Sequence, residues 1–260
     1  MPNHLLRAPA AWMAASVFVC ASCHARDLDG RAVLEDSKLF FTAPLRWDAR
    51  DWTYFGATLV AVAAAHEYDD NVRSHFGTTL VTTSNEDPHS SRDWAPAAAM
   101  VGLTWAYATL IDNSSGYEEG KAMLEAAAFS AVTTEVFKAA AGRKRPNETA
   151  NVDDWRNGGS AFPSSHASIT FAIGTVLAES GNDEFRWVRR ALGYGLASAV
   201  AYSRVRDGAH WLSDTVAAAS LGIATGRFVT HRAEEREVRY SLSLQPLDGG
   251  AMLTYTYRPP

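Results

Sequence analysis

The sequence predicts an all-α fold: a helical bundle of about six or more core helices with a short C-terminal β-hairpin appendage. Two observations predict the bundle. Apolar, alanine-rich stretches of helical length recur at 54–65, 95–111, 123–141, 166–178, 191–205 and 211–229. Polar or Gly/Pro-rich breaks separate them, at 82–89, 112–120, 143–162 and 181–184. A third observation predicts the hairpin. Apolar residues alternate at Val238, Tyr240, Leu242 and Leu244, then again at Ala251, Leu253, Tyr255 and Tyr257, with the turn sequence Asp248-Gly249-Gly250 between them.

Taken in chain order, the elements begin with an expected leader. Arg7 precedes an apolar run that continues to Ala21, and Cys23-His24-Ala25 offers small residues at the −3 and −1 positions of a cleavage site. Residues 1–25 therefore read as a secretory signal peptide, which places the mature chain in the periplasm; the alternatives are an uncleaved membrane anchor, since no charge falls between Arg7 and Arg26, and a lipoprotein. Cleavage there removes both cysteines, so Cys20-x-x-Cys23 carries no redox or zinc role. Residues 26–53 form an N-terminal extension, 54–232 the helical domain and 233–260 the hairpin. A membrane span needs about 20 apolar residues. Asp93 to Asp112 leaves 18 uncharged residues, Asp51 to Glu67 15, Arg190 to Arg204 13 and Asp214 to Arg227 12. These runs suit buried helices of a packed domain, with peripheral membrane contact open. Aromatic residues at 47, 52, 54, 94 and 155 could form a rim for such contact, although packing in the core is their commoner fate.

Composition narrows the function. The 260 residues carry 24 Lys+Arg against 29 Asp+Glu, a net charge of −5, which argues against a general nucleic-acid binder. With 47% hydrophobic and 20% charged residues the chain is not largely disordered.

Three clusters bear chemistry. Lys138 lies near the end of a helical stretch that Gly142 and Pro146 terminate, with Arg145 just before the proline. The neighbouring Arg143 and Lys144 read as surface charges. Pro163-Ser164-Ser165-His166 opens an apolar helix, with Ser164 a natural N-cap and free backbone N–H groups suited to an anion. Arg204 precedes a turn at Asp207-Gly208, after which a helix is expected to begin near His210. His210 and Asp214 then share a helix face, where the carboxylate can accept the Nδ1–H and leave Nε2 free as a nucleophile. Together the clusters supply three cations, helix N–H groups, two histidines and an orienting aspartate, a set suited to a tetrahedral oxyanion. His66, beside Glu67 and Asp69, reads as a surface or hinge residue.

The order Lys138-x6-Arg145-Pro146, Pro163-Ser164-x-His166, Ser203-Arg204-x5-His210-x3-Asp214 resembles the type 2 phosphatidic acid phosphatase (PAP2) superfamily, which includes bacterial class A acid phosphatases and vanadium haloperoxidases. The resemblance implies that Lys138, Arg145 and Arg204 bind phosphate oxygens, and that Ser164 with the N–H groups of Ser165 and His166 completes the cradle. It implies that His210 attacks phosphorus, that Asp214 orients it, and that His166 protonates the departing alcohol and then activates water. No metal or other cofactor enters this scheme. One departure is Ser165, which stands where the family often has glycine.

The function expected is a metal-independent, vanadate-sensitive phosphatase acting on phosphate monoesters or lipid phosphates through a phosphohistidine. The lipid substrates would be phosphatidic acid-like or polyprenyl diphosphate-like. Its partners would be a phosphorylated small molecule or lipid, with a homodimer open and no nucleic acid. The alternatives are a vanadium-dependent haloperoxidase and a non-catalytic binder of phospholipids or other anions.

Overall fold

A computed structural model describes residues 30–80, 91–111, 114–180, 185–247 and 250–257. The expected leader, the breaks at 82–89 and 181–184, and the turn residues 248 and 249 lie outside the described residues. The chain divides into two compact units, 1–42 and 43–260. The described part of the first is helix α1, Gly30–Phe41, where Ser37 Oγ donates to the Val33 carbonyl at 2.7 Å.

The second unit is helical through Arg239. A 3-10 turn, Ala43–Arg46, leads to α2 (Ala49–His66), α3 (Asp69–His75), α4 (Ser91–Ile111), α5 (Ser114–Ala141), α6 (Ser165–Glu179), α7 (Arg186–Arg206) and α8 (Leu212–Arg239). Strands β1 (Tyr240–Leu247) and β2 (Gly250–Tyr257) follow, antiparallel, with Tyr240 opposite Tyr257 and Leu247 opposite Gly250.

Five of the six expected apolar stretches fall inside a helix, and the sixth, 211–229, overruns by one residue because its helix begins at Leu212; most helices extend beyond the stretch. Helix α2 starts at Ala49, ahead of the expected 54, because Asp48 and Asp51 form a capping box. Asp48 accepts from the N–H groups of Arg50 and Asp51 at 2.8 and 2.9 Å, and its own N–H donates to Asp51 at 3.2 Å. Trp47 packs edge-on against Trp52 at 5.0 Å, a hydrophobic staple across the same turn. The break expected at 112–120 is shorter, since α5 already begins at Ser114. Its polar first turns are held by side chains: Lys121 pairs with Glu118 at 2.7 Å, and Glu119 pairs with Arg189 of α7.

Helix α6 is the centre of the unit and packs against α4, α5, α7 and α8. It is apolar or small nearly all round, as a helix enclosed by neighbours must be. His166, Ala167, Ser168, Phe171, Ala172, Ile173, Gly174 and Val176 are all buried. Its contact with α7 is so close that a Cβ on Gly174 would lie 2.6 Å from the Gly193 carbonyl oxygen. Only glycine permits that separation. This packing fixes the α6 N-terminus beside the C-terminal end of α5 and the turn between α7 and α8.

Candidate phosphate site

The C-terminal end of α5 supplies the first two cations. Lys138 lies in its last turn. Gly142 then adopts φ +55°, and its N–H returns to the Lys138 carbonyl at 2.9 Å, so the chain leaves the helix in a left-handed cap. The following loop is stitched to the rest of the site by its backbone. Asn147 N–H donates to Gly208 at 3.2 Å, Ala161 N–H to Arg143 at 2.9 Å, and the Trp211 indole to Lys144 at 2.8 Å. Arg145 emerges from this loop and donates to Ser160 Oγ at 3.2 Å, while its Nε is buried with no hydrogen bond among the described residues.

The other two clusters meet it there. Helix α7 ends at Arg206, and the turn behind it folds the His210 N–H onto the Arg204 carbonyl at 3.1 Å. The Ser164 N–H donates to the Asp214 carbonyl at 3.3 Å, which joins the start of α6 to the start of α8. Ser164 is the N-cap residue of α6, as expected, yet its side chain caps nothing: its Oγ is buried and makes no hydrogen bond among the described residues. Two buried donors with no acceptor among the described residues, Ser164 Oγ and Arg145 Nε, therefore belong to one cluster. An anion is the partner such donors fit.

Lys138, Arg145 and Arg204 all act electrostatically on His210. The His210 ring is 2% exposed, and burial first, then Arg145, Arg204 and Lys138, hold its pKa well below the usual histidine value. It is a neutral imidazole at neutral pH. Its Nδ1 lies 2.7 Å from the Ala161 carbonyl, which can only accept, so Nδ1 carries the proton and Nε2 the lone pair. Burial also lowers the Lys138 pKa, against the pull of Glu135 at 3.7 Å. Arg145 is lowered in the same way. Crowded, desolvated cations of this kind gain strongly from an added anion.

Asp214 differs from expectation. The helix begins at Leu212, after His210, so the two residues do not share a helix face. Asp214 Oδ2 lies 3.8 Å from His210 Nδ1, beyond hydrogen-bond distance, and accepts instead from the Trp211 N–H at 2.8 Å. The Ala161 carbonyl takes the place foreseen for the carboxylate. Asp214 is completely buried, which raises its pKa to about 6 against the pull of Arg143.

His166 and Ser165 stand in the first turn of α6. The His166 ring, 2% exposed, packs on Trp94 with centroids 4.1 Å apart. Ser165 Oγ donates to Glu135 Oε1 at 3.4 Å, one helical turn from Lys138. Its φ is not positive, so serine in place of the usual glycine is unstrained here.

Comparison with known proteins agrees with the geometry. Residues 120–237 match the family model described as the PAP2 superfamily, and all eight site residues lie inside that stretch. The matched stretch is a little under half of the chain, and over it the chain is similar to the PAP2 superfamily. A curated relative, the lipid A 1-phosphatase of Porphyromonas gingivalis, is 33% identical to this chain over 85 residues. The match covers 33% of this chain and 17% of the relative's length. A solved structure, that of a transmembrane PAP2 type phosphatidylglycerolphosphate phosphatase from Bacillus subtilis, aligns with a TM-score of 0.46 at 17% identity, over 71% of this chain and 96% of that one.

One residue beside the site was misread in the sequence. Arg143 is completely buried, not a surface charge, and bonds to Asp214, Asp69, Ser213 and the Val152 carbonyl. His66, at the end of α2, is partly exposed, and its Nδ1 lies 3.1 Å from Asp69 and its Nε2 2.9 Å from Asp153. The ordinary rule that an arginine near a helix end is solvated misled, because its partners lie far away in sequence.

Proposed function

We propose that the protein is a phosphatase that cleaves phosphate esters through a phosphohistidine at His210, with lipid phosphates as its substrate class. The observation that carries the reading is the neutral His210 imidazole, its proton fixed on Nδ1 by Ala161, amid Lys138, Arg145 and Arg204. In the first step His210 Nε2 attacks phosphorus. The P–N bond forms, the ester P–O bond breaks, and its electron pair leaves on the alkoxide oxygen, which takes a proton from His166. In the second step water attacks phosphorus and gives a proton to His166. The P–N pair returns to Nε2 and phosphate departs. The three cations, Ser164 Oγ and the N–H groups of Ser165 and His166 hold the oxygens whose charge spreads in both transition states. Asp214, 3.8 Å from Nδ1, stabilises the positive charge that the ring gains on phosphorylation.

Lipid substrates are favoured by two supports. The curated relative is named a lipid A phosphatase. Helices α2 and α4 also present exposed apolar stripes, Trp52, Phe55 and Leu59 on one, Leu103, Tyr107 and Leu110 on the other. Among the described residues no helix is long and apolar enough to cross a membrane, so this reading has the substrate met at the membrane surface. The same reading takes 1–25 as an export signal and the periplasm as the site of action.

The test is phosphate release by the purified protein and its His210→Ala variant, in chelator, with and without vanadate, on an aryl phosphate and on phosphatidic acid. Release that vanadate inhibits and the variant lacks is expected. Tight phosphate binding that survives His210→Ala, without turnover in the parent, would replace the reading with that of an anion binder.

A further inference from the structure

We propose that Arg143, backed by Asp69, is a positioning residue for the His210 centre: it fixes the Asp214 carboxylate in place and keeps it ionised. The inference deepens the phosphatase reading and rests on it for the role of His210.

The geometry is specific. Arg143 NH1 donates to Asp214 Oδ1 at 2.7 Å, while Asp214 Oδ2 takes the Trp211 N–H and faces His210 Nδ1. One carboxylate oxygen is thus spent on the arginine, and the other is aimed at the histidine. Arg143 NH2 donates to Asp69 Oδ2 at 2.8 Å and to the Val152 carbonyl at 2.8 Å. Ser213 closes the ring. Its Oγ donates to Asp69 Oδ2 at 2.6 Å and accepts from Arg143 NH1 at 2.8 Å, and its N–H donates to Asp69 Oδ1 at 2.9 Å. The guanidinium lies over Trp155 at 4.4 Å and Trp211 at 5.1 Å. Arg143, Asp69 and Asp214 are all completely buried. A guanidinium can satisfy two carboxylates along different edges at once, and an ammonium cannot.

A carboxylate buried this deeply is near the point of protonation, and the charges around it decide its state. Those facing Asp214 are Arg143 and Arg145 from the loop after α5, His66 from the end of α2, Asp69 from α3, and His210 before α8. Arg143 is the largest of the charges that favour ionisation. Asp69, on the far edge of the same guanidinium, opposes it as a like charge. Opposite changes at the two residues must therefore move Asp214 in opposite directions.

The experiment measures two things on the full-length protein and on Arg143→Gln, Arg143→Lys and Asp69→Asn. One is the pH dependence of kcat/KM on an aryl phosphate. The other is the titration of the Asp214 carboxyl carbon by NMR, assigned with Asp214→Asn. Arg143→Gln is expected to move both the acid limb and the Asp214 midpoint upward by about one pH unit or more. Asp69→Asn, which leaves Arg143 its partner Asp214 and whose folding is checked by circular dichroism, should move both downward. Arg143→Lys should keep the limb near its original pH while kcat falls about tenfold. An activity loss with no movement of the limb in Asp69→Asn, or a midpoint that moves while the limb stays, overturns the proposal and leaves Arg143 as a packing residue. Absence of turnover in the parent protein would remove the phosphatase reading. The Asp214 midpoint would still decide whether Arg143 and Asp69 govern this carboxylate, and an unmoved midpoint would refute that too.

Discussion

Ser164 holds the N-cap position of α6 with a hydroxyl that bonds to nothing among the described residues. A working N-cap hydroxyl is worth about 1 kcal/mol of stability. Removal of an unsatisfied buried hydroxyl is close to neutral. Ser164→Ala should therefore unfold in urea within about 0.5 kcal/mol of the parent, yet bind vanadate about tenfold more weakly, the loss of one charge-assisted hydrogen bond. A full cap penalty with unchanged vanadate affinity would show that the hydroxyl serves the helix and not the anion. The ionisable residues set the pH profile. The His210 pKa lies well below the usual value, so protonation of the nucleophile does not limit activity near neutrality. Asp214 is raised to about 6. Activity should fall as Asp214 protonates below that pH, and Asp214→Asn should be slow at every pH and lack that limb. The residues proposed for the site carry short-range motifs that single them out in the sequence: Lys138, Arg145, Ser164, His166, Arg204 and His210. The Ala161 carbonyl and the Arg143–Asp69 pair carry none. A backbone acceptor has no residue type, and an ion pair between residues 74 positions apart leaves no local pattern.

Helix α7 carries two glycines in opposite circumstances, and they test how the elements pack. A Cβ on Gly193 would lie 2.3 Å from the Gly174 carbonyl of α6, whereas one on Gly195 would meet nothing within 4 Å. Alanine at either position gains helix propensity of about 0.5–1 kcal/mol. At 193 that gain is outweighed by overpacking of about 1–3 kcal/mol. Gly195→Ala should thus stabilise the protein in urea and Gly193→Ala destabilise it, and like signs would contradict the described crossing. Helix existence was legible because long apolar stretches and their breaks do not depend on tertiary partners. Helix starts were less so. The Asp48–Asp51 box lengthens α2, and the Glu119–Arg189 pair lets α5 begin within a polar stretch that reads as a loop. The close helix crossing at Gly174 leaves only a glycine within an apolar run, which is not distinctive on its own.

At the scale of the whole molecule the reading must reconcile a lipid substrate with helices too short or too polar to span a bilayer among the described residues. Leu103, Tyr107 and Leu110 of α4 are 71%, 56% and 82% exposed and recur at helical spacing on one face. Full burial of three such side chains would contribute roughly 5–9 kcal/mol, the scale of a single acyl anchor, which gives marginal and reversible membrane binding. Reversible contact of this kind suits an enzyme that must move between lipid headgroups. Leu103→Ser, Tyr107→Ser and Leu110→Ser combined should abolish cosedimentation with phosphatidic acid vesicles and lower kcat/KM on that substrate by about tenfold or more. The same variant should keep its kcat on an aryl phosphate, because none of the three residues belongs to the phosphate site. Equal loss on both substrates would mean that the stripe supports the fold. Unchanged vesicle binding would mean that the membrane is met elsewhere, with the α2 stripe at Trp52, Phe55 and Leu59 the next surface to alter.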